Sequence, residues 1–230
     1  MTEQYVVATV KPWNVDAFQR RTPKLMGLWC LIDKAGQLTL ARVASLSPRY
    51  VFFPHWSWRV PNEILSKYEC ICFHMTDVPY GRGGSPLQNL IMRGHKSTML
   101  TALRMIDEFD AGPVYLKRPL SLEGNAEDIF TRAADATYDL IAEIITNNPV
   151  PVPQVGAPVM FRRRTAKESQ LPFEGTMSNL YDFIRMLDAP TYPKAFVTWG
   201  KLKFEFDQAR LVDSNILEAR IRIRQQTLDD

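Results

Sequence analysis

His74 and Asp110 are the side chains of this 230-residue chain whose types and spacing suit proton chemistry. His74 closes the hydrophobic run Cys70-Ile71-Cys72-Phe73-His74, and Gly81-Arg82-Gly83-Gly84 follows before Ser85-Pro86. Asp110 lies in the small-residue turn Phe109-Asp110-Ala111-Gly112-Pro113. An imidazole with an ordinary pKa of about 6.5 donates to a developing oxyanion or exchanges a proton near neutral pH. A neighbouring carboxylate orients that imidazole or takes a proton from a nucleophile. Each residue also has a plainer reading: a hydrogen-bonded structural histidine, and an aspartate that bonds its own turn backbone. The chemical reading gains because side chains alternate along a strand, placing Cys70, Cys72 and His74 on one face with His74 at the exit. Ligands of open α/β sheets bind outside such carboxyl ends.

Other candidates cluster around this pair. Gly83 and Gly84 permit close backbone approach to a ligand, and a helix N-terminus follows at Ser85-Pro86, which favours negative charge. Arg82 is placed to hold a phosphate or carboxylate, against a default of a solvated arginine. Pro54-His55-Trp56-Ser57-Trp58 follows another predicted strand, so Trp56 and Trp58 read as ligand contacts or as a packed lid. Arg162-Arg163-Arg164 suits a diphosphate or is a solvated basic face.

The elements that must position these residues are legible as β-rich runs at Tyr5 to Val10, Gly27 to Ile32, Tyr50 to Phe53 and Glu69 to His74. Runs apolar on both faces suit a buried parallel sheet. Pro61 to Tyr68 predicts a two-turn helix. Ser85 as N-cap, Pro86 at the first position and Gln88 in a capping box predict a helix to about Arg93. Ser97 to Met105 and Pro113 to Leu120 read as two strands joined by the Asp110 turn. Asn125 caps a long helix with Phe130, Ala133, Ala134, Thr137, Ile141, Ile144 and Ile145 on its apolar stripe, stopped by Asn147-Asn148-Pro149. Pro149 to Pro153 is a stiff extended connection. Beyond it Asn179 to Leu187 reads as a helix, while Lys194 to Thr198, Leu202 to Phe206 and Leu217 to Arg224 read as antiparallel strands. The expected fold class is α/β with a mainly parallel central sheet over residues 1–148, and a small α+β appendage with antiparallel strands over 149–230.

Composition bounds the function. Hydrophobic residues make up 46% and charged residues 23%, the ordinary balance of a globular domain, with a net charge of +3. The basic residues are scattered apart from the arginine triplet, so no nucleic-acid partner is expected and a small anionic ligand fits better. No signal-peptide pattern and no apolar run near the roughly 20 residues that span a bilayer are seen, predicting a cytoplasmic protein without membrane association. Cys30, Cys70 and Cys72 sit in hydrophobic runs, where Cys-x-Cys alone is a poor zinc signature, so no metal is expected.

The ordering His74, Gly81-Arg82-Gly83-Gly84-Ser85-Pro86, Thr101, Met105 and Asp110-Ala111-Gly112-Pro113 resembles the N10-formyltetrahydrofolate-dependent formyltransferase family. That family includes methionyl-tRNA formyltransferase, glycinamide ribonucleotide transformylase and the sugar N-formyltransferases. The resemblance covers roughly Tyr50 to Asn147 and implies a Rossmann-like formyltransferase fold. It also implies His74 and Asp110 as catalytic residues, with Cys72 at the position where the family carries an Asn. That departure replaces a strong amide donor by a weak thiol. The family further implies a folate site at Ile106, Asp107, Glu108, Phe109, Asp110 and Gly84, with Arg82, Gly83, Ser85, Trp56, Trp58 and Arg163 facing the substrate.

Phe52 to Trp58, Cys72 to Asp77 and Gly83 to Ile91 are similar to the sugar N-formyltransferases of pseudaminic acid biosynthesis. The resemblance therefore implies transfer from N10-formyltetrahydrofolate to the amine of a nucleotide sugar, UDP-4-amino-4,6-dideoxy-N-acetyl-altrosamine, and a homodimer is compatible with it. The alternatives are a methionyl-tRNA formyltransferase-like enzyme and a homologue that binds without catalysis.

Overall fold

The computed structural model describes residues 2–172 and 174–225. The chain divides into two compact units: Met1–Gly83, Thr98–Leu120 and Phe130–Phe161 form the first, and Gly84–Ser97, Ser121–Ile129 and Arg162–Asp230 the second. The strands are β1 Gln4–Ala8, β2 Leu28–Ile32, β3 Tyr50–Pro54, β4 Glu69–His74, β5 Tyr80–Gly83, β6 Ser97–Arg104, β7 Val114–Ser121, β8 Val159–Phe161, β9 Ala195–Trp199, β10 Leu202–Leu211 and β11 Leu217–Gln225. The helices are α1 Pro12–Arg21, α2 Leu40–Leu46, α3 Asn62–Leu65, α4 Pro86–Met92, α5 Ala126–Asn147 and α6 Met177–Arg185.

The central sheet has the order β2-β1-β3-β4-β6-β7. Its first four strands are parallel, and β6 then runs antiparallel to β4 with His74 opposite Thr101 and Cys72 opposite Leu103. The parallel strands are apolar on both faces because both are covered. Val6, Ala8, Val51 and Phe53 enter one core with Ile32, Val43 and Ile64. On the alternate positions Tyr5, Trp29, Tyr50 and Phe52 form an aromatic layer with centroids 4.7–6.3 Å apart. Each such side chain contributes about 1.5–3 kcal/mol by leaving water, which fixes the register that carries His74 to the strand exit.

The expected four parallel strands, the β6 and β7 strands and the long helix all form. Two helices in the connections, α1 and α2, were not assigned in advance. The predicted start of α4 is correct but its chemistry is not: Ser85 has a left-handed φ of 50° and makes no side-chain cap. Gln88 does not close a capping box either, since its amide donates to Met186 O at 3.0 Å. The glycine-rich stretch expected as a turn is the short strand β5, paired in parallel with β8.

In the second unit, α6 starts at Met177 rather than Asn179 because Thr176 and Asn179 form a reciprocal capping box. Its buried Arg185 donates to Asp182 at 2.6 Å and to Leu122 O and Gly124 O at 2.7 and 2.8 Å. β9, β10 and β11 make the expected antiparallel sheet in the order β11-β10-β9. Among the described residues no helix is long and apolar enough to cross a membrane.

Candidate functional site

The site in the first unit is built by the exits of β4 and β6 and by the β5 backbone. His74 is buried at 8% exposure. Its Nε2 lies 2.7 Å from Gly81 O. A carbonyl only accepts, so Nε2 carries a proton and donates, which leaves Nδ1 as the ring nitrogen on the Asp110 side. Thr76 donates to the same carbonyl at 3.3 Å, and Thr101 donates to Thr76 O at 2.7 Å, so the strand exit is cross-tied.

Asp110 occupies a left-handed backbone position, φ 54°, in the turn between β6 and β7. Aspartate tolerates this region better than most residues because its short side chain bonds locally. Here the carboxylate reaches outward instead. Oδ2 accepts the Gly83 N–H at 2.9 Å, and Oδ1 lies 3.5 Å from His74 Nδ1. Thus Nε2 and Oδ2 are anchored, while Nδ1 and Oδ1 face each other at a separation too long for a good hydrogen bond.

Two glycines permit this approach. At Gly83, φ 105°, a Cβ would stand 2.4 Å from Phe161 O, and at Gly112 it would stand 1.8 Å from Arg104 O. Both clashes are with backbone, which cannot move aside cheaply.

Gln154 is the residue that sequence reasoning missed. Its Nε2 donates to Asp110 O and Gly112 O, both at 2.8 Å. Its Oε1 accepts from Arg82 Nε at 3.0 Å and Nη2 at 2.8 Å. The only signal available was a polar residue after a proline-rich run. Arg82, expected to face a ligand, directs three of its N–H groups into the protein, the third toward Glu108 at 3.4 Å.

Cys72 shares the His74 face of β4. Burial, with the Asp110 charge added, pushes its thiol well above the usual range, so it is a neutral SH. Of the residues expected to hold a folate, Ile106, Asp107, Glu108 and Phe109 form an exposed turn, with Ile106 43% and Phe109 61% exposed. Asp107 pairs with Arg59. Trp58 is half exposed and stacks edgewise on Trp56 with centroids 5.2 Å apart. Trp56 Nε1 is buried without a hydrogen-bond partner. An orphaned donor beside exposed apolar side chains fits a flat heterocycle with polar edges, because a buried indole N–H ordinarily finds an acceptor.

The remaining expected residues belong to the second unit. Ser85 Oγ accepts the Arg164 N–H at 3.0 Å. Asn89 donates to Gly84 O, Ser85 O and Arg162 O at 3.0–3.1 Å. Within the arginine triplet Arg162 pairs with Glu168, Arg164 lies 5.5 Å over the Phe183 ring, and Arg163 is exposed.

An anchored histidine and aspartate thus stand at the exit of a β4–β6 pair in a Rossmann-like sheet, and the comparisons with known proteins give the family. Residues 166–224 match the family described as methionyl-tRNA formyltransferase, C-terminal domain. A solved methionyl-tRNA formyltransferase from Clostridium thermocellum is 39% identical with a TM-score of 0.94, covering 97% of this chain and 100% of that one. The chain belongs to the formyltransferase family. A methionyl-tRNA formyltransferase from Bacillus mycoides is 28% identical over 166 residues, 68% of this chain and 52% of that protein. The chain spans about half the length of that curated relative. A 4-N formyltransferase from Francisella tularensis shares the fold at a TM-score of 0.65 and 15% identity, covering 84% of this chain and 91% of that one.

Proposed function

We propose that this chain transfers a formyl group from N10-formyltetrahydrofolate to a primary amine, with His74 and Asp110 as its catalytic pair. The observation that carries the reading is the half-made contact between Nδ1 and Oδ1, 3.5 Å apart, while the other polar atom of each group is anchored on backbone. When bound, the folate supplies an activated formyl carbon. The fit of the first unit to such a ligand rests on exposed Ile106, Phe109 and Trp58 and on the orphaned Trp56 N–H, with Asp107 and Glu108 as further candidate contacts.

The residues of the chain do the proton work. Asp110 Oδ1 accepts an N–H of the incoming amine and so orients its lone pair. As the amine becomes acidic during attack, the pair takes up one proton between Oδ1 and Nδ1, which converts two facing acceptors into a charge-assisted hydrogen bond. The imidazolium so formed is stabilised on both sides, by Gly81 O and by the Asp110 charge, and would return its proton to the nitrogen that leaves the formyl carbon, restoring the pair. Cys72, held as a neutral thiol, supplies packing and at most a weak S–H donor.

Methionyl-tRNA is the first acceptor to test, because the 39% identical structure and the curated relative both carry that name. Those names stand against the expectation of no nucleic-acid partner. An amino-sugar nucleotide is the second acceptor to test, since a 4-N formyltransferase shares the fold. In that reading exposed Trp58 meets the nucleotide, together with Trp56, Arg82 and Gly83, and the pseudaminic-acid precursor is one candidate sugar. A cytoplasmic location belongs to either version. The test is formyltetrahydrofolate with each acceptor, read by a formyl mass gain on the product. Formylation of one acceptor, lost in His74→Asn, is expected; no product with any primary amine would leave a binding-only homologue.

A further inference from the structure

Gln154 joins the guanidinium of Arg82 to the backbone of the Asp110 turn. We infer that Gln154 is a positioning residue that sets the Asp110 carboxylate against His74, an assignment that rests on the formyl-transfer reading of that pair.

All four hydrogen-bonding positions of the Gln154 amide are filled: two N–H groups on Asp110 O and Gly112 O at 2.8 Å, and two lone-pair directions of Oε1 on Arg82 Nε and Nη2 at 3.0 and 2.8 Å. The orientation is unique. Turning the amide over would set Oε1 against two carbonyls and its NH2 against a guanidinium, losing every bond at once. A side chain so fixed acts as a template for what it touches. It draws the carbonyls of Asp110 and Gly112 to one point, and so holds open the left-handed backbone at Asp110, φ 54°. That conformation is costly for a residue with a Cβ and persists where surrounding contacts over-determine it.

The consequence for the carboxylate is direct. Oδ2 is pinned to Gly83 N–H, and Arg82, next to Gly83 in the same strand, is pinned by the same glutamine. Gln154 therefore fixes both ends of the link that presents Oδ1 to Nδ1. Removing it frees the turn, and a displacement near 1 Å in a reacting pair costs on the order of 100-fold in rate.

Two substitutions separate this role from neutralisation of Arg82. Gln154→Leu removes every bond, whereas Gln154→Glu keeps the acceptor for Arg82 but loses both donors to the turn. The readouts are turnover with formyltetrahydrofolate and the His74 ring nitrogens in long-range proton–nitrogen NMR spectra, assigned by their loss in His74→Asn. Both variants are expected to show a displaced His74 pattern and kcat lower by about 100-fold, with KM changed far less. An unchanged His74 pattern in both variants overturns the inference, and so does a wild-type pattern in Gln154→Glu. If Gln154→Leu does not fold, Gln154→Glu decides. A displaced pattern with unchanged turnover upholds the positioning role and sinks the catalytic reading of the pair instead.

Discussion

Two shielded aspartates, one in each unit, are used in opposite ways. Asp188 in the second unit has both oxygens satisfied: Oδ1 lies 2.7 Å from Lys194 Nζ and Oδ2 accepts the Gln208 N–H at 2.8 Å. Even its backbone carbonyl is used, accepting the Glu127 N–H at 3.0 Å. Asp110 in the first unit has one oxygen anchored and the other facing the Nδ1 of His74 at 3.5 Å. A carboxylate that joins loop to strand is saturated, because any unmet lone pair away from water costs free energy. On the proposed function, Asp110 is a carboxylate kept for chemistry, which has to leave one position open, and the fold must offset that cost elsewhere. Gly83, Gly112 and Gln154 are where it does so.

The largest expected effect tests the open oxygen. Asp110→Asn retains an acceptor for Gly83 N–H but removes the charge and the proton-accepting oxygen, so turnover should fall on the order of 10²- to 10⁴-fold. The melting temperature should stay near that of the parent protein, since the lost charge was only half paired. Turnover within a few-fold of the parent would erase the distinction drawn between the two aspartates. Asp188→Asn is the converse. It keeps the shape and the acceptor for Gln208 but loses the Lys194 ion pair, at a cost of about 1.5–3 kcal/mol, read as a lower denaturation midpoint. A variant as stable as the parent would mean that saturation of Asp188 contributes nothing.

How much of this was legible beforehand follows from where the information sits. The strands β1 to β4 announce themselves because buried parallel strands must be apolar on both faces, and His74 could be placed at an exit for the same reason. β5 was not legible: Tyr80-Gly81-Arg82-Gly83 has no side-chain alternation, and its pairing with β8 depends on a segment nearly eighty residues away. Ser85-Pro86 gave the correct helix start for the wrong reason, since a left-handed Ser85 cannot cap and its hydroxyl serves Arg164. Asp110 was legible as a turn residue near a histidine, but the anchoring of one oxygen and not the other is a tertiary fact. Gln154 carried no local signal, because its four bonded partner atoms come from two distant stretches of chain, Arg82 and the Asp110–Gly112 turn.

Cys72 sharpens the comparison from the strand that carries His74. Its thiol is pushed well above its ordinary value of 9.0, by burial first and by the Asp110 charge second. Raised means protonated: the thiolate is absent across the neutral range, so no limb of the pH–rate profile below pH 9.0 should belong to it. Cys72→Ala should retain turnover within a few-fold and leave the profile in place. A profile whose alkaline limb disappears in Cys72→Ala would show a working thiolate, and the open oxygen of Asp110 would no longer be the principal base.

The smallest effect comes from a third carboxylate, saturated like that of Asp188 but more exposed. Glu168 accepts the Thr165 N–H, pairs with Arg162 and accepts the Thr165 hydroxyl, and these bonds in that order hold its pKa down at about 2 against an ordinary 4.5. A depressed acid stabilises the fold while it is ionised, so its contribution is fully present above about pH 4.5 and is lost as the pH falls toward 2. Solvent screens such a site, and exposed pairs of this kind contribute little. The melting temperature of Glu168→Gln should accordingly sit slightly below that of the parent at neutral pH, with the gap closing through that acid window. A gap that persists unchanged to the acid end would mean that the contacts stabilise through shape and not charge, and saturation alone would then fail to distinguish a structural carboxylate from a reactive one.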